Sequence, residues 1–191
     1  MLVTIDHWLS NVNRKLSMNC DDRPEDARIS LVVIHSISLP AGEYGTGLVP
    51  TFFCNELDLK DHPYLQSLEG VRVAPHLYIT RRGLVTQFVP FNLRAWHAGV
   101  SSFGPQAACN DFSIGVELEG TDQSSYTNSQ YRKLCSILTA LIVKYPSISL
   151  GRIVGHQEIA PLRKKDPGSG FDWERIYTEV VRHEDAIASR R

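Results

Sequence analysis

Apolar residues in this chain fall into short continuous runs and one long stripe with helical spacing. The short runs are rich in β-branched residues and are bounded by turn residues, a pattern that predicts strands. The Arg-Arg-Gly that ends at Gly83 is typical of a hairpin turn between two of them. Gly115, inside another predicted strand, indicates a bend or the close approach of another group. We expect strands over residues 30–35, 75–80, 84–89, 112–119 and 152–155.

The clearest helical pattern follows Thr127, whose spacing from Gln130 has the form of a capping box. Pro146 ends this helix, and two further helices are predicted over about 49–56 and 172–182. Because helices interleave with strands that include a hairpin, we expect an α+β fold with a central mixed β-sheet flanked by α-helices. The apolar stripe of the central helix recurs at intervals of three and four residues: Tyr131, Leu134, Cys135, Leu138, Leu141, Ile142 and Tyr145.

The two ends of the chain carry weaker patterns than the region between them. We treat residues 1–191 as a single domain, since most domains contain roughly 50 to 250 residues. The compact core is expected over about residues 27–184, with loosely ordered ends and a fraying segment at 186–191.

The composition is that of a globular protein with nearly balanced charge. The formal net charge is −1, from 20 Lys and Arg against 21 Asp and Glu, which argues against nucleic acid as a partner. The longest apolar runs fall well short of the ~18 residues that span a membrane. The first residues lack the pattern of an export signal, and the four cysteines show no close pairing. We therefore expect reduced thiols, a cytoplasmic location and, although the sequence does not determine the oligomeric state, a monomer.

Two histidines share a sequence context that suggests a site. His35 and His156 each end an apolar strand at the point where a loop begins, and Asp166 follows on a loop stiffened by prolines. Two imidazoles and a carboxylate suit zinc, with a fourth position open for water. From spacing alone, the alternative remains open that both histidines are buried core residues and that Asp166 forms a turn.

Four blocks of the sequence resemble, in the same order, the 1,6-anhydro-N-acetylmuramoyl-L-alanine amidases. This family belongs to the zinc-dependent type-2 amidases, which share their fold with peptidoglycan-recognition proteins. The resemblance covers about residues 31–173. Its blocks are HSISLP at 35–40, RAWHAG at 94–99, CNDFSIGVELEGT at 109–121 and GHQEIAPLRKKDPG at 155–168.

The resemblance implies one zinc ion per chain, bound by His35, His156 and Asp166. It also implies that Glu117 is the catalytic carboxylate and that Lys164 stabilises the transition state. General chemistry agrees, because amide hydrolysis needs a group that moves a proton and a cation that faces the developing oxyanion. Strand alternation places Glu117 and Glu119 on the same face, so the residues alone do not choose between them; the resemblance selects Glu117.

Candidate substrate-binding residues carry weaker signals. Trp96 and His97 could line the cleft, where the indole of Trp96 would stack on a sugar face, although a packing role is nearly as well supported for Trp96. His62 and Tyr64 lie in a polar loop that could border the substrate, and Arg72 could bind a stem-peptide carboxylate or face solvent. The sequence also departs from the family pattern, at Ser36, Glu158, Leu162, Lys165 and the loop 104–109.

The function implied by the resemblance is hydrolysis of the amide between the lactyl group of 1,6-anhydro-N-acetylmuramic acid and L-alanine. The substrate would be a small muropeptide, and the role cell-wall recycling, with an indirect effect on β-lactamase induction. Two alternatives remain: a broader amidase that acts on intact peptidoglycan, and a non-catalytic peptidoglycan-binding module. Retention of the ligand set with Glu117 and Lys164 argues against the binding module. The missing export signal argues against the broader amidase.

Overall fold

The computed structural model describes residues 1–60 and 62–188, the last five of them by their backbone alone. Short 3₁₀ turns lie at Pro63–Leu68, Cys109–Asp111 and Leu150–Arg152. The helices are α1 (Leu48–Phe53), α2 (Asn128–Lys144), α3 (His156–Ile159) and α4 (Trp173–Ala188). The strands are β1 (Asn13–Arg14), β2 (Cys20–Asp22), β3 (Leu31–Ile37), β4 (Leu77–Ile79), β5 (Val85–Gln87), β6 (Leu93–Ala95), β7 (Ser102–Phe103), β8 (Gln106–Ala107), β9 (Ser113–Glu119) and β10 (Ile153–Gly155).

A six-stranded sheet with the order β1-β5-β4-β9-β3-β10 forms the centre of the fold. β4 and β5 pair antiparallel as the predicted hairpin, whose turn is closed by a hydrogen bond from the Gly83 N–H to the Thr80 carbonyl. The other pairings in this sheet are parallel. The prediction of a mixed sheet with flanking helices is therefore confirmed.

The alternation of side chains along β3 and β9 divides the core into two layers. Val32 and Ile34 of β3, with Val116 and its neighbours on β9, face the layer that contains α2 and α4. Leu31 and Val33 point to the opposite face, where they pack against Phe112 and α3. On that second face, β3 and β9 carry polar residues near their carboxyl ends.

The central helix α2 begins as predicted. Thr127 accepts a hydrogen bond from the Gln130 N–H at 3.1 Å, and Gln130 Oε1 accepts one from the Thr127 N–H at 3.0 Å, which completes the capping box. α4 extends to Ala188, beyond the predicted end at residue 182. Within the predicted range, Ile176 and Val180 are buried in the core together with residues of α2, so packing stabilises this helix.

The N-terminal segment differs from the expectation of a loosely tied end. β1 pairs in parallel with β5, and Leu9 is buried in the main core. The guanidinium of Arg23 is buried and donates hydrogen bonds to backbone carbonyls within and just after the 109–111 turn, including Asn110 at 3.0 Å and Ser113 at 2.8 Å. At the other end, residues 186–188 continue α4, and residues 189–191 of the predicted fraying segment lie outside the described part of the chain.

Cys20, Cys54, Cys109 and Cys135 are free thiols, the last two of them buried. Among the described residues, none of the helices combines the length and the apolar character that crossing a membrane requires.

Candidate active site

The register of the central strands places His35 beside Glu117. The two residues are direct partners across the parallel pair β3–β9, close to the carboxyl ends of both strands. Alternation turns both side chains toward the face opposite α2 and α4. Ligand sites in sheets of this kind commonly lie outside the carboxyl ends of parallel strands.

His156 and Asp166 reach the same place from the far side of β3. β10 pairs in parallel with β3, and His156 is the first residue of α3 directly after it. The following loop turns back, and the Asp166 carbonyl accepts a hydrogen bond from the Gln157 N–H at 3.0 Å. Gly168 makes this return possible, because its φ is +86° and a side chain there would overlap the backbone of Asp122.

His35, His156 and Asp166 form a compact group, here named the ligand cluster, whose potential ligand atoms all lie within 4.8 Å of one another. The two Nδ1 atoms are 2.9 Å apart, and Asp166 Oδ2 lies 3.3 Å from His35 Nδ1 and 3.1 Å from His156 Nδ1. Atoms bound to one tetrahedral zinc ion are about 3.3 Å apart. Two imidazole nitrogens and one carboxylate oxygen therefore fit zinc in both chemistry and spacing.

The electrostatics of the cluster also suit a cation. Burial lowers the pKa of His35 to about 4, so the imidazole is neutral and its nitrogen can bind metal. Burial opposes ionisation of Asp166, but hydrogen bonds with His156 and His35 outweigh it and hold the pKa of Asp166 below its ordinary value. The site thus pairs a neutral His35 with an ionised Asp166.

The two glutamates of β9 have different environments. Glu119 is tied to the backbone, since its Oε1 accepts the Gly45 N–H at 2.6 Å and its Oε2 accepts the Arg81 N–H at 2.8 Å. Glu117 Oε2 is buried and has no hydrogen-bond partner among the described residues. Burial and the nearby charge of Asp166 raise the pKa of Glu117 well above its ordinary value, while the Lys164 ammonium opposes this shift. Glu117 is thus the carboxylate that has an oxygen free to exchange a proton.

Two cavities meet at the ligand cluster. The inner cavity, of about 290 Å³, is lined by Glu117, His97 and Lys164 together with the whole cluster. The outer cavity, of about 470 Å³, is lined on its basic side by Arg163 and Lys165 and shares Asp166 with the inner one. The adjacent lysines therefore face different spaces.

The predicted substrate-binding residues lie in different surroundings. Tyr64 lines the outer cavity, and His62 Nδ1 accepts the Tyr64 N–H at 3.1 Å and so caps the turn that carries it. Trp96 donates its indole N–H to Asp21 Oδ1 at 3.1 Å, and Arg72 is exposed. His97 lines the inner cavity.

Sequence reasoning missed several residues that build the site through backbone contacts. Arg163 donates to the carbonyls of Ala98 at 2.7 Å and Val100 at 2.8 Å. Asn110 Oδ1 accepts the backbone N–H groups of His97 and Ala98. A lone Arg or Asn carries no periodic signal that would reveal such contacts. Gly115 did carry a signal: the close approach expected there is made by the His97 ring.

The departures from the family pattern lie in different places. Ser36 and Lys165 line the outer cavity, Ser36 also lines the inner one, and Leu162 is fully exposed. Glu158 instead has a local role, since its Oε2 accepts the Gly155 N–H at 2.6 Å at the start of α3. None of these positions belongs to the ligand cluster.

Comparison with known proteins gives consistent matches. The model of the N-acetylmuramoyl-L-alanine amidase family matches residues 25–169. The 1,6-anhydro-N-acetylmuramyl-L-alanine amidase AmpD of Citrobacter freundii is 48% identical over 174 residues, which cover 91% of this chain and 92% of the relative. A crystal structure of a selenomethionine AmpD derivative superposes with a TM-score of 0.91 at 47% identity, covering 94% of this chain and 99% of that one.

A more distant solved structure contains a ligand. It is the Escherichia coli amidase AmiD in complex with the substrate anhydro-N-acetylmuramic acid-L-Ala-D-γ-Glu-L-Lys. The TM-score is 0.58 at 27% identity, and the match covers 82% of this chain and 60% of that one. The similarity between the two chains therefore spans most of this chain and only part of the AmiD chain.

Proposed function

Since the chain belongs to the N-acetylmuramoyl-L-alanine amidase family, we propose that it cleaves anhydro-muropeptides in cell-wall recycling. The bond is the amide between the lactyl group of 1,6-anhydro-N-acetylmuramic acid and L-alanine, and water converts it to a carboxylate and a free amine. The observation that carries the proposal is the convergence of the ligand cluster beside Glu117, whose Oε2 has no partner among the described residues. The AmpD relatives, which match along almost their whole length, support this substrate class.

The ligand cluster would hold one zinc ion per chain, through Nδ1 of His35, Nδ1 of His156 and the Asp166 carboxylate. When bound, zinc supplies Lewis-acid chemistry, which polarises a carbonyl and lowers the pKa of water to about 7. The burial of both histidines excludes competing solvent from their nitrogens. The cluster therefore fixes where the scissile carbonyl must lie.

Glu117 moves the proton in this proposal. Glu117 lines the inner cavity, and its buried Oε2 has no other partner among the described residues, so this carboxylate can accept a proton from the attacking water. The same oxygen then delivers that proton to the nitrogen of L-alanine as the C–N bond breaks. Because burial raises its pKa, Glu117 is a stronger base than an exposed carboxylate and takes the proton of water more readily.

Lys164 stabilises the oxyanion. It lines the inner cavity with Glu117, and it lies near enough to both His35 and Glu117 for its charge to act on them. The carbonyl oxygen gains negative charge only as the tetrahedral intermediate forms, so an ammonium there acts mainly on the transition state.

The remaining parts of the substrate are assigned to the outer cavity and its rim. Tyr64 and Lys165 line that cavity, which has room for the peptide or the sugar next to the scissile bond. Trp96, His97, Arg72 and His62 remain predictions as substrate contacts.

We also propose a cytoplasmic monomer. The free thiols at all four cysteines support a reducing compartment. A muropeptide released by cell-wall turnover is a small soluble substrate of the kind such an enzyme would meet. In bacteria that link recycling to β-lactamase induction, this activity would affect induction indirectly.

The proposal is tested by metal analysis together with an assay on anhydro-muropeptide and on its counterpart with a reduced, opened sugar. We expect about one zinc per chain, release of the free peptide from the anhydro substrate, and loss of activity on metal removal. His156→Ala should lose both zinc and activity, since it removes one ligand. Full activity in metal-free protein would contradict the zinc assignment, and equal rates on both sugars would contradict the anhydro specificity.

A further inference from the structure

The dipeptide His97–Ala98 lies directly behind both histidines of the ligand cluster. His97 Nδ1 is 2.9 Å from His35 Nε2, and the Ala98 carbonyl oxygen is 3.1 Å from His156 Nε2. These are the ring nitrogens that point away from the cluster, since the Nδ1 atoms point into it. One short segment therefore contacts both imidazoles from behind.

The Ala98 contact favours the metal-binding tautomer of His156. A carbonyl oxygen only accepts hydrogen bonds, so when Nδ1 of His156 binds a metal instead of donating to Asp166, the ring proton is on Nε2 and donates to Ala98. Nδ1 of His156 is then an unprotonated nitrogen directed into the cluster. This is the form that a metal requires.

The His97 contact can do the same for His35 through a chain of two hydrogen bonds. A neutral imidazole donates from one nitrogen and accepts at the other. If His97 Nδ1 accepts the Nε2–H of His35, His97 must carry its own proton on Nε2, which lies 3.2 Å from Ser113 Oγ. A hydroxyl can accept that proton's hydrogen bond. The order His35 to His97 to Ser113 leaves Nδ1 of His35 free for metal.

The segment is held in place by groups outside the cluster. Asn110 Oδ1 accepts the N–H of His97 at 3.1 Å and the N–H of Ala98 at 2.8 Å. The His97 ring lies against Gly115 of β9, where any side chain would overlap it. The strand that carries Glu117 thus also supports the ring that contacts His35.

We infer that His97 and Ala98 fix the metal-binding tautomers of His35 and His156, and that Asn110 is the residue that holds them in register. His97 and Asn110 are positioning residues in this arrangement, because they act through the ligands. The inference rests on the zinc site proposed above. It adds that this site depends on a hydrogen-bonded support that is distant in sequence from both histidines.

The first test compares His97→Asn with His97→Leu, two side chains of similar shape. Asn keeps an acceptor near the position of Nδ1, whereas Leu leaves the buried Nε2–H of His35 without one. We expect His97→Leu to raise the zinc Kd about 10- to 100-fold in a chelator competition, the usual effect of losing a partner of a metal-bound histidine. His97→Asn should restore most of the affinity. Equal losses in both variants would mean that the ring matters only for packing and would overturn the inference.

Asn110→Ala and Asn110→Asp form a second pair, which remains informative if His97→Leu fails to fold. Asp keeps an oxygen that can accept both N–H groups, so it should retain zinc affinity that Ala loses. Gln87→Ala is the matched control. Gln87 is a buried amide whose Oε1 accepts the Leu9 N–H at 2.7 Å, and it lines neither the inner nor the outer cavity. It should lower the melting temperature and leave the zinc Kd unchanged.

Imidazole ¹⁵N NMR of the zinc-loaded protein measures the tautomers directly. We expect protons on Nε2 of His35, His97 and His156. A proton on Nδ1 of His97 would overturn the inference even if the zinc affinities behave as expected. If the wild-type chain binds no zinc, the proposed function fails as well; if it binds zinc and the variants bind it equally tightly, this inference alone fails.

Discussion

Glu117 and Glu119 are the same residue type on the same strand but have different environments. Both lie on β9 and face the same side of the sheet. The backbone N–H groups of Gly45 and Arg81 occupy the oxygens of Glu119, which ties two loops to the strand end. Glu117 Oε2 is buried without a partner among the described residues, so it is available for proton transfer.

Glu117→Gln is expected to lower kcat by about 100- to 10,000-fold, the usual contribution of a general base. The amide is nearly isosteric but cannot accept the proton of water. Zinc content should stay at the wild-type level, because Glu117 is outside the ligand cluster. Steady-state kinetics and metal analysis of the same preparation measure both effects, and loss of zinc would mean that the carboxylate is a ligand.

Glu119→Gln is the matched control for that variant. It keeps one acceptor oxygen and loses the other, which should cost about 1–3 kcal/mol in the free energy of unfolding. Its kcat should remain close to that of the wild type. A large loss of kcat at normal stability would reverse the roles assigned to the two glutamates.

Lys164 and Lys165 are adjacent in sequence but line different cavities. Lys164→Ala should lower kcat and kcat/KM together by about 100-fold or more, with KM nearly unchanged, because the lost contact forms mainly in the transition state. Lys165→Ala should change KM slightly and in a salt-dependent way, as expected for an exposed charge that attracts an acidic peptide. Small, salt-sensitive KM effects in both variants would contradict the catalytic role of Lys164.

At the scale of elements, the start of α2 connects the helix to the sheet. Thr127 Oγ1 accepts the Gln130 N–H and donates to the Arg81 carbonyl at 2.7 Å, while Gln130 donates to the Glu119 carbonyl at 2.9 Å. The capping box therefore also fixes the ends of β9 and of the hairpin. The stability of α2 and the position of β9, the strand that carries Glu117, therefore depend on the same few hydrogen bonds.

Thr127→Ala should lower the free energy of unfolding by about 1 kcal/mol, the typical value of an N-cap side chain. Thr127→Ser keeps the hydroxyl and should recover most of that loss. Urea unfolding followed by circular dichroism measures both variants. Identical stability of the Ala and Ser variants would show that the cap contributes nothing here.

At the scale of the whole molecule, buried histidines link stability to pH. His76 is fully buried; its Nδ1 accepts the Gly115 N–H at 3.1 Å and its Nε2 faces the Leu93 carbonyl at 3.1 Å. Burial and the nearby Arg23 guanidinium hold the pKa of His76 well below its ordinary value of 6.5. The folded protein therefore keeps His76 neutral at pH values where the unfolded chain protonates it.

We expect the free energy of unfolding to fall as the pH drops below 6.5. In that range the unfolded state binds a proton that the folded state excludes, which costs about 1.4 kcal/mol per pH unit for each such group. In His76→Gln the free energy of unfolding should depend less steeply on pH, by the equivalent of about one proton. The other buried histidines contribute equally to the variant and the wild type, so the difference reports His76. Urea titrations between about pH 5 and 6.5 measure the slopes, and equal slopes would contradict the assignment.

Local pattern predicted five of the six strands of the central sheet and the helices α1, α2 and α4, but not β1, β2, β6, β7, β8 or α3. The short apolar runs of β3 and β9 and the capping box of α2 involve neighbours along the chain, so the sequence predicts them directly. The position of His35 and His156 at strand ends follows from the same pattern. The resemblance to known amidases then implied residue roles that the pattern left open.

Only the tertiary structure decided which of those residues meet, and how. Pairing of β1 with β5, the tie of Glu119 to Gly45, and the contact of Ala98 with His156 each join segments that are far apart in sequence. A backbone carbonyl or N–H is present at almost every position, so nothing in the residue type marks the one that will orient a ligand. These contacts exist because the sheet order brings the carboxyl ends of β3, β9 and β10 together, and that order is set by the packing of the whole chain.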